Sequence, residues 1–151
     1  MDDALRLPSC SIGRAMEILG ERWTLLILRE CFYGVKRFSV MQRNLGIARN
    51  ILSARLQLLV RTGILERRRY QEEPERFEYK LTEKGLGLYP AVVAIMRWGD
   101  EYLSEDDPPV VLRHSCGHLA DPMLVCTHCR EELDPHAVTP EPATSPALAG
   151  R

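Results

Sequence analysis

Residues 38–63 read FSVMQRNLGIARNILSARLQLLVRTG, and this stretch decides the fold. Ser39 is followed three residues later by a glutamine, which is the capping-box pattern of a helix start, and this short helix is expected to end at Gly46. A second helix is predicted over residues 48–62, because glycine commonly follows the last helical residues and Gly63 stands there. The stretch therefore predicts two consecutive helices joined by a tight turn.

The helix predicted over residues 48–62 has an apolar side and a polar side. Leu52, Leu56 and Leu59 lie within about 60° of one another on a helical wheel, and they are expected to face the core. The opposite side is polar or small, has arginine at its margins, and carries no acidic residue. Amides and hydroxyls can read base edges in a major groove, a small residue permits close approach, and arginines reach guanine or phosphate. The predicted DNA-contacting residues of the two helices are Ser39, Arg49, Asn50, Ser53, Ala54, Arg55, Gln57 and Arg61.

Two further runs predict a β-hairpin after the second helix. Residues 64–70 are apolar and then basic, residues 76–82 alternate apolar with charged side chains, and the connector between them is rich in turn-forming residues. Two helices joined by a tight turn and followed by a basic hairpin are the layout of a winged helix-turn-helix. In that layout the second helix enters the major groove and the hairpin lies along the DNA backbone, where Arg67 and Arg69 are the expected contacts.

The charge distribution along the chain is compatible with binding to DNA. The net charge is only -1, but residues 1–103 carry 17 Lys and Arg against 13 Asp and Glu, whereas residues 104–151 carry 3 against 8. Seven arginines between Gln42 and Arg69 face a single acidic residue. Clustered positive charge favours binding to a nucleic-acid backbone, because it releases condensed counterions. The alternative interpretation of the charge alone is a solvated helical surface.

Composition excludes several other classes of protein. A hydrophobic share of 45% and a charged share of 27% are those of a globular protein, not of a disordered or collagen-like chain. The sequence has no apolar run long enough to span a membrane, and its acidic start is unlike a signal peptide, so we expect a cytoplasmic protein. It also lacks a glycine-rich phosphate loop, a nucleophile elbow and a paired-carboxylate arrangement. We therefore do not expect an enzyme.

Helices are also predicted outside the central stretch. Apolar residues recur at helical spacing in residues 11–20, 22–32 and 83–103, and Pro90 should kink or restart the last of these helices. The long apolar stripe of the last helix either packs on the core or pairs with a second copy. Dimerisation is favoured, because helix-turn-helix proteins commonly place two recognition helices in successive major grooves of a pseudo-palindromic operator, about 34–36 Å apart. The expected dimer contacts are Ile12, Leu88, Val92, Ile95, Met96 and Tyr102.

The predicted fold is thus mainly α with a β-hairpin wing and a small cysteine-rich hairpin near the C-terminus. Residues 1–103 are expected to form the DNA-binding and dimerisation domain. Residues 104–109 are a linker, because acidic residues and a proline pair stop the preceding helix. Residues 110–134 are a Cys/His-rich module, and the Pro-rich residues 135–151 are predicted to be disordered.

A set of motifs follows one order along the chain. These are Cys10, LGERWTLLILRE at 19–30, RFS at 37–39, LSARL at 52–56, Gly63, FEYKLTEKG at 77–85 and Trp98-Gly99. The set resembles the HxlR-type winged-helix transcription regulators. The resemblance implies a dimeric, sequence-specific bacterial DNA-binding protein that acts near a promoter as repressor or activator. It also implies that residues 48–62 form the recognition helix, that Arg76 near the hairpin tip touches a minor groove or phosphate, and that the end helices form the dimer contact.

The same resemblance directs attention to Cys10. Some members of that family sense oxidants or electrophiles through a cysteine at the start of the first helix, and Cys10 has that position. A helix dipole stabilises a thiolate at its N-terminus, and Arg14 one turn later would add to this effect. The alternative is a small side chain packed in the N-terminal segment.

The C-terminal module contains three of the five cysteines. Cys126 and Cys129 form a Cys-x-x-Cys pair, but the matching first pair is incomplete, because Arg113 stands three residues before Cys116 and cannot bind a metal. The regulator function requires no cofactor. A structural Zn²⁺ would be bound by Cys116, Cys126, Cys129 and either His114 or His118. The alternatives are a metal-free module held by apolar contacts, or a thiol redox pair formed by the Cys-x-x-Cys motif.

Overall fold

A computed structural model describes residues 10–141. In chain order the elements are α1 (Ser11–Leu19), α2 (Arg22–Phe32), α3 (Phe38–Leu45), α4 (Arg49–Arg61), β1 (Leu65–Gln71), β2 (Arg76–Leu81), α5 (Glu83–Leu86) and α6 (Tyr89–Leu103). The chain is mainly helical, and β1 and β2 pair as one antiparallel hairpin. The predicted architecture is confirmed: α3 and α4 form a helix-turn-helix, and the β1–β2 hairpin is the wing.

The apolar side of α4 lies at the centre of the core. Leu52, Leu56 and Leu59 are fully buried, as predicted. Their buried neighbours in the same cluster are Ile27, Leu28, Met41, Ile47, Ile64 and Leu65. Burying a leucine side chain contributes about 1.5–3 kcal/mol. The three leucines therefore fix which side of α4 is turned away from the core.

Two glycines end the helices of the helix-turn-helix where the sequence predicts. Gly46 follows α3 with φ 63°, and Gly63 follows the end of α4 with φ 74°. Both values lie in the left-handed region that only glycine adopts without strain. The turn between α3 and α4 is thereby held to three residues, 46–48.

The start of α3 differs from the prediction. The N-cap is Arg37 and the helix begins at Phe38, so Ser39 lies within the first turn and the expected capping box does not form. Phe38 packs against the buried core, and the backbone N–H of Tyr79 donates to the carbonyl of Lys36 at 2.8 Å. These long-range contacts fix the chain direction at this point and outweigh a side-chain cap, which contributes about 0.5–2 kcal/mol.

A buried polar contact ties α2 to α3. Glu30 is only 4% exposed. Its carboxylate accepts hydrogen bonds from Arg29 at 2.9 Å and from Asn44 at 2.7 Å. A buried charge is tolerated only when it is paired and hydrogen-bonded. This contact therefore adds a directional link to the apolar packing between the two helices.

Pro90 restarts the C-terminal helix, as predicted. The short helix α5 ends at Leu86, and α6 begins at Tyr89 with the proline in its first turn. The first turn of a helix has no intrahelical use for the N–H that proline lacks. Within the described residues, 10–141, no helix combines the length and the apolar character needed to cross a membrane.

The described chain forms two compact units. One comprises residues 11–95, and the other comprises Cys10 and the described residues from Met96 onward. The division falls inside α6, earlier than the linker predicted at 104–109. The side chain of Arg97 explains the difference, because it hydrogen-bonds the carbonyl of Pro122 and lies 3.5 Å from the carboxylate of Asp121.

The cysteine-rich module contains two short hairpins, not the single hairpin predicted. Arg113 pairs with Leu119 in the first, and Val125 pairs with Glu132 in the second. Of the tail predicted to be disordered, the described residues 135–141 begin with a turn, in which the Asp134 carboxylate accepts the backbone N–H of His136 at 2.8 Å. The remaining tail positions lie outside the described residues.

Candidate nucleic-acid interface

Burial of the three leucines turns the opposite side of α4 toward solvent. We call this side the outer face of α4, and it consists of Arg49, Asn50, Ser53, Ala54, Gln57 and Arg61. Ser53 is half-buried and the other five residues are exposed. The amide of Gln57 donates to Ser53 Oγ at 3.4 Å, a long hydrogen bond that leaves the amide available to a better partner. Ser39 on α3 is also exposed. The surface thus presents donors and acceptors between two arginines, with no carboxylate among them.

Arg55 does not lie on the outer face of α4. Its Nε lies 4.0 Å from Oε2 of Glu21, and the same carboxylate accepts the backbone N–H of Trp23 at 3.0 Å as the N-cap of α2. The arginine side chain is 29% exposed. Its position at the margin of the wheel places it beside the start of α2, where its buried Nε has a long ion-pair contact with Glu21 but no hydrogen-bond partner among the described residues, and this geometry gives no support to the predicted phosphate contact.

The wing presents arginines in three different surroundings. The guanidinium of Arg67 lies 3.5 Å from the ring centre of Phe77, which holds it against the strand surface. Arg69 lies within 4 Å of two acidic residues of the turn, Glu75 at 3.5 Å and Glu72 at 3.8 Å. Arg76 is exposed where β2 begins, beside the hairpin turn. Exposed ion pairs contribute little, about 0–1 kcal/mol, so a phosphate could replace the carboxylates around Arg69.

Two features of this surface were missed by the sequence analysis. The guanidinium of Arg37 lies 4.9 Å from the ring centre of Tyr70 on β1, which connects the start of α3 to the wing. Ile51 is 36% exposed and adds an apolar group one turn before Ala54. The helical spacing of Ile51 could have been noticed in the sequence. The contact of Arg37 could not, because it depends on how the hairpin folds back.

The comparisons with known proteins agree with this geometry. A family model described as HxlR-like helix-turn-helix matches residues 18–107 of the chain. The chain belongs to the HxlR family. Its matched residues include α2 to α6 and therefore the whole helix-turn-helix and wing.

Individual relatives of this HxlR-family chain are also regulators. Uncharacterized HTH-type transcriptional regulator Rv3095 of Mycobacterium tuberculosis is 58% identical over 134 residues, which are 87% of this chain and 85% of the relative. The crystal structure of PA1607, a candidate transcription factor, matches with a TM-score of 0.82 and 32% identity over 93% of this chain and 99% of the other. The redox regulator HypR in its reduced form matches with a TM-score of 0.58 and 29% identity over 61% and 92%. The prediction of a DNA-binding transcription regulator, and not an enzyme, is confirmed.

The residues predicted for dimer contact in this HxlR-family chain have unequal surroundings. Ile12, Ile95 and Tyr102 are 71%, 53% and 64% exposed, whereas Leu88, Val92 and Met96 are half-buried. Leu88 packs in part against the core of its own chain. Val93, which the sequence analysis did not single out, is the buried residue of α6. Large apolar side chains that stay exposed in a folded chain commonly mark an interaction surface.

Two cysteines of the N-terminal half have different environments. Cys10 directly precedes α1, as predicted, and is half-buried. Arg14, expected to act on this thiol, donates a hydrogen bond to Ser11 Oγ at 3.4 Å. Burial and the adjacent Glu30 raise the pKa of the Cys31 thiol from 9.0 to about 12. The side chain of Cys31 is therefore a neutral part of the core.

The cysteine-rich module does not assemble the predicted metal ligands in this structure. Among residues 10–141, no three His, Cys, Asp or Glu side chains are arranged closely enough to hold a metal ion. The Cys-x-x-Cys turn is nevertheless preorganised. Hydrogen bonds from the backbone N–H groups of Cys129 and His128 lower the pKa of the Cys126 thiol. All three cysteines of the module carry free thiols.

Proposed function

We propose that this chain reads a specific double-stranded DNA sequence with the outer face of α4 in the major groove and the wing on the backbone or in the minor groove. The observation that carries the proposal is the composition of that face, which has exposed amides and arginines and no carboxylate. Asn and Gln pair with adenine edges, arginine pairs with guanine or phosphate, and Ala54 leaves room for close approach. A regulator of this kind acts where bacterial DNA lies, in the cytoplasm.

Selection of random duplexes by the purified protein tests this proposal. We expect enrichment of one sequence, and we expect Asn50→Ala and Gln57→Ala each to relax the preference at particular base pairs by about 1–3 kcal/mol. Ser104→Ala, an exposed change outside the helices, is the matched control and should leave the preference unchanged. Unselective binding by the native protein, or an unchanged preference in both α4 variants, would contradict it.

We further propose that two copies bind together to a pseudo-palindromic operator. The support is the exposed apolar surface of α1 and α6, including Ile12 and Ile95, which the described part of the chain leaves uncovered. A two-fold dimer would place two copies of α4 about 34–36 Å apart, one turn of the duplex.

Sedimentation equilibrium tests the dimer. Ile12→Glu combined with Ile95→Glu should shift the native dimer to monomer, because each change would bury a carboxylate at the interface. Arg14→Glu is the control, since it lies about 200° round α1 from Ile12. A native monomer, or a dimer unaffected by the double change, would contradict the proposal.

Cys10 is proposed as the redox-responsive residue of this regulator. Its place immediately before α1 supports this role, and so does the similarity to HypR, a protein described as a redox regulator. Peroxide would oxidise the thiolate to a sulfenic acid and be reduced to water. We expect mild peroxide to change DNA affinity in the native protein but not in Cys10→Ser. If mass spectrometry shows that Cys10 is fully oxidised and the affinity for DNA is unchanged, this role is excluded.

A further inference from the structure

The first hairpin of the cysteine-rich module is closed by backbone hydrogen bonds. Arg113 pairs with Leu119. Inside this pair, the N–H of His114 donates to the carbonyl of His118 at 2.9 Å, and the N–H of Gly117 donates to the carbonyl of His114 at 2.9 Å. The first residue of the turn is therefore a histidine.

The second hairpin is closed in the same way. Val125 pairs with Glu132. Inside this pair, the N–H of Cys126 donates to the carbonyl of Glu131 at 2.9 Å, and the N–H of Arg130 donates to the carbonyl of Cys126 at 2.8 Å. The first residue of this turn is the first cysteine of the Cys-x-x-Cys motif.

These hydrogen bonds align the two hairpins residue by residue, with the first turn one residue shorter. The matched pairs are Arg113 with Val125, His114 with Cys126, Cys116 with Cys129, Gly117 with Arg130 and His118 with Glu131. The residue after the second ligand position is left-handed in both, with φ 90° at Gly117 and φ 66° at Arg130. Within residues 10–141, Arg130 is the one non-glycine residue with positive φ. The alignment removes Arg113 from the ligand position that sequence spacing assigns to it and places His114 there.

The side-chain atoms follow the same correspondence. In the second turn, the backbone N–H groups of Cys129 and His128 are directed at the thiol of Cys126. In the first turn, the N–H of Cys116 donates to Nδ1 of His114 at 3.3 Å. Nδ1 thus has the acceptor position that the sulfur has in the second turn, and Zn²⁺ bound by this imidazole would take the single lone pair that Nδ1 now directs at the N–H of Cys116.

The module has no apolar interior that would explain these ordered turns. Every described residue from 104 to 141 is exposed or half-buried. Its large apolar side chains Leu119, Met123 and Leu124 are 53%, 60% and 68% exposed. A segment this small cannot bury enough apolar surface to hold a fold alone, and a structural metal is a common substitute for the missing core.

We propose that the module binds one Zn²⁺ through the thiolates of Cys116, Cys126 and Cys129 and Nδ1 of His114. Three thiolates and one imidazole are a tetrahedral donor set that suits Zn²⁺. Binding would release the protons of those thiols that are still protonated. Since the side chains of the two turns are apart in this structure, binding must also bring the turns together.

Metal titration of the full-length chain, purified without chelator, tests the proposal. We expect about one equivalent of Zn²⁺ and, with Co²⁺ in its place, the absorption spectrum of a tetrahedral site with three sulfur ligands. His114→Ala should weaken Zn²⁺ binding by at least about tenfold. Loss of a residue that only supports a metal ligand already lowers metal affinity by about 10–100-fold. The matched controls His118→Ala and Arg113→Ala should retain it.

The opposite outcomes are equally defined. Less than about a tenth of an equivalent of metal overturns the proposal, as does a Cys126–Cys129 disulfide in protein handled without oxidant. Loss of binding in His118→Ala with retention in His114→Ala would overturn the ligand assignment. These measurements do not use DNA, so their failure is distinguishable from a failure of the DNA-binding function.

Discussion

Arg55 lies at the border between the core side and the outer face of α4. Its contact with Glu21 at the start of α2 predicts a role in folding. Arg55→Ala should lower the free energy of unfolding by about 0.2–1 kcal/mol, the range for a partly exposed ion pair, without changing which base pairs are preferred. Chemical denaturation and duplex selection on the same variant measure both quantities. Arg61→Ala is the control, and it should weaken DNA binding at unchanged stability; an altered sequence preference in Arg55→Ala would contradict this assignment.

Cys31 gives the fold a dependence on alkaline pH. The folded chain keeps the proton on this thiol up to a pKa of about 12, whereas the unfolded chain loses it near 9.0. Since the folded state then binds more protons, the stabilising effect is complete below pH 9.0 and is lost as pH rises toward 12. Urea unfolding at pH 8 and pH 10 should show a smaller decline in Cys31→Ala than in the native protein. An identical decline in both would show that the thiol is not buried as described.

At the scale of elements, the wing is predicted to supply affinity without sequence preference. Arg67 is held against Phe77, and Arg76 is exposed beside the turn, and we expect both to contact the DNA backbone. Arg67→Ala or Arg76→Ala should weaken binding to all duplexes alike and reduce the slope of log K against log salt by about 1. Fluorescence anisotropy across a salt series measures this. Arg68→Ala serves as a comparison, because the guanidinium of Arg68 is paired with Glu66 at 2.6 Å. A change of base preference in Arg67→Ala or Arg76→Ala would contradict the role of the wing on the DNA backbone.

The sequence predicts the elements whose signals are local. The leucines of α4 set its buried side, and Gly46 and Gly63 mark helix ends, so these features follow from periodicity and backbone preference alone. The start of α3 cannot be predicted in this way, because contacts of Phe38 with the core and of Lys36 with the wing, all distant in sequence, determine it. The surroundings of Arg55 at the margin of α4 do not follow from the sequence for the same reason: only the fold shows that Arg55 lies beside Glu21.

At the scale of the whole molecule, the sequence separates the helix-turn-helix unit from the cysteine-rich module but misplaces details of each. Spacing alone leaves His114 and His118 as equal candidates for a fourth ligand, and only the backbone hydrogen bonds distinguish them. The division of the chain inside α6 is likewise invisible in the sequence, because it follows from the contact of Arg97 with Pro122.

The most direct test of the central claim is dimethyl sulfate protection of guanine N7, a major-groove atom, on a duplex selected by the protein. We predict two protected blocks about 10–10.5 base pairs apart, with protection reduced in a variant that replaces Arg49 and Arg61, the arginines of the outer face, by alanine. Tight binding to the duplex with every guanine N7 still reactive, or unchanged protection in this arginine variant, would contradict the claim that the outer face of α4 lies in the major groove.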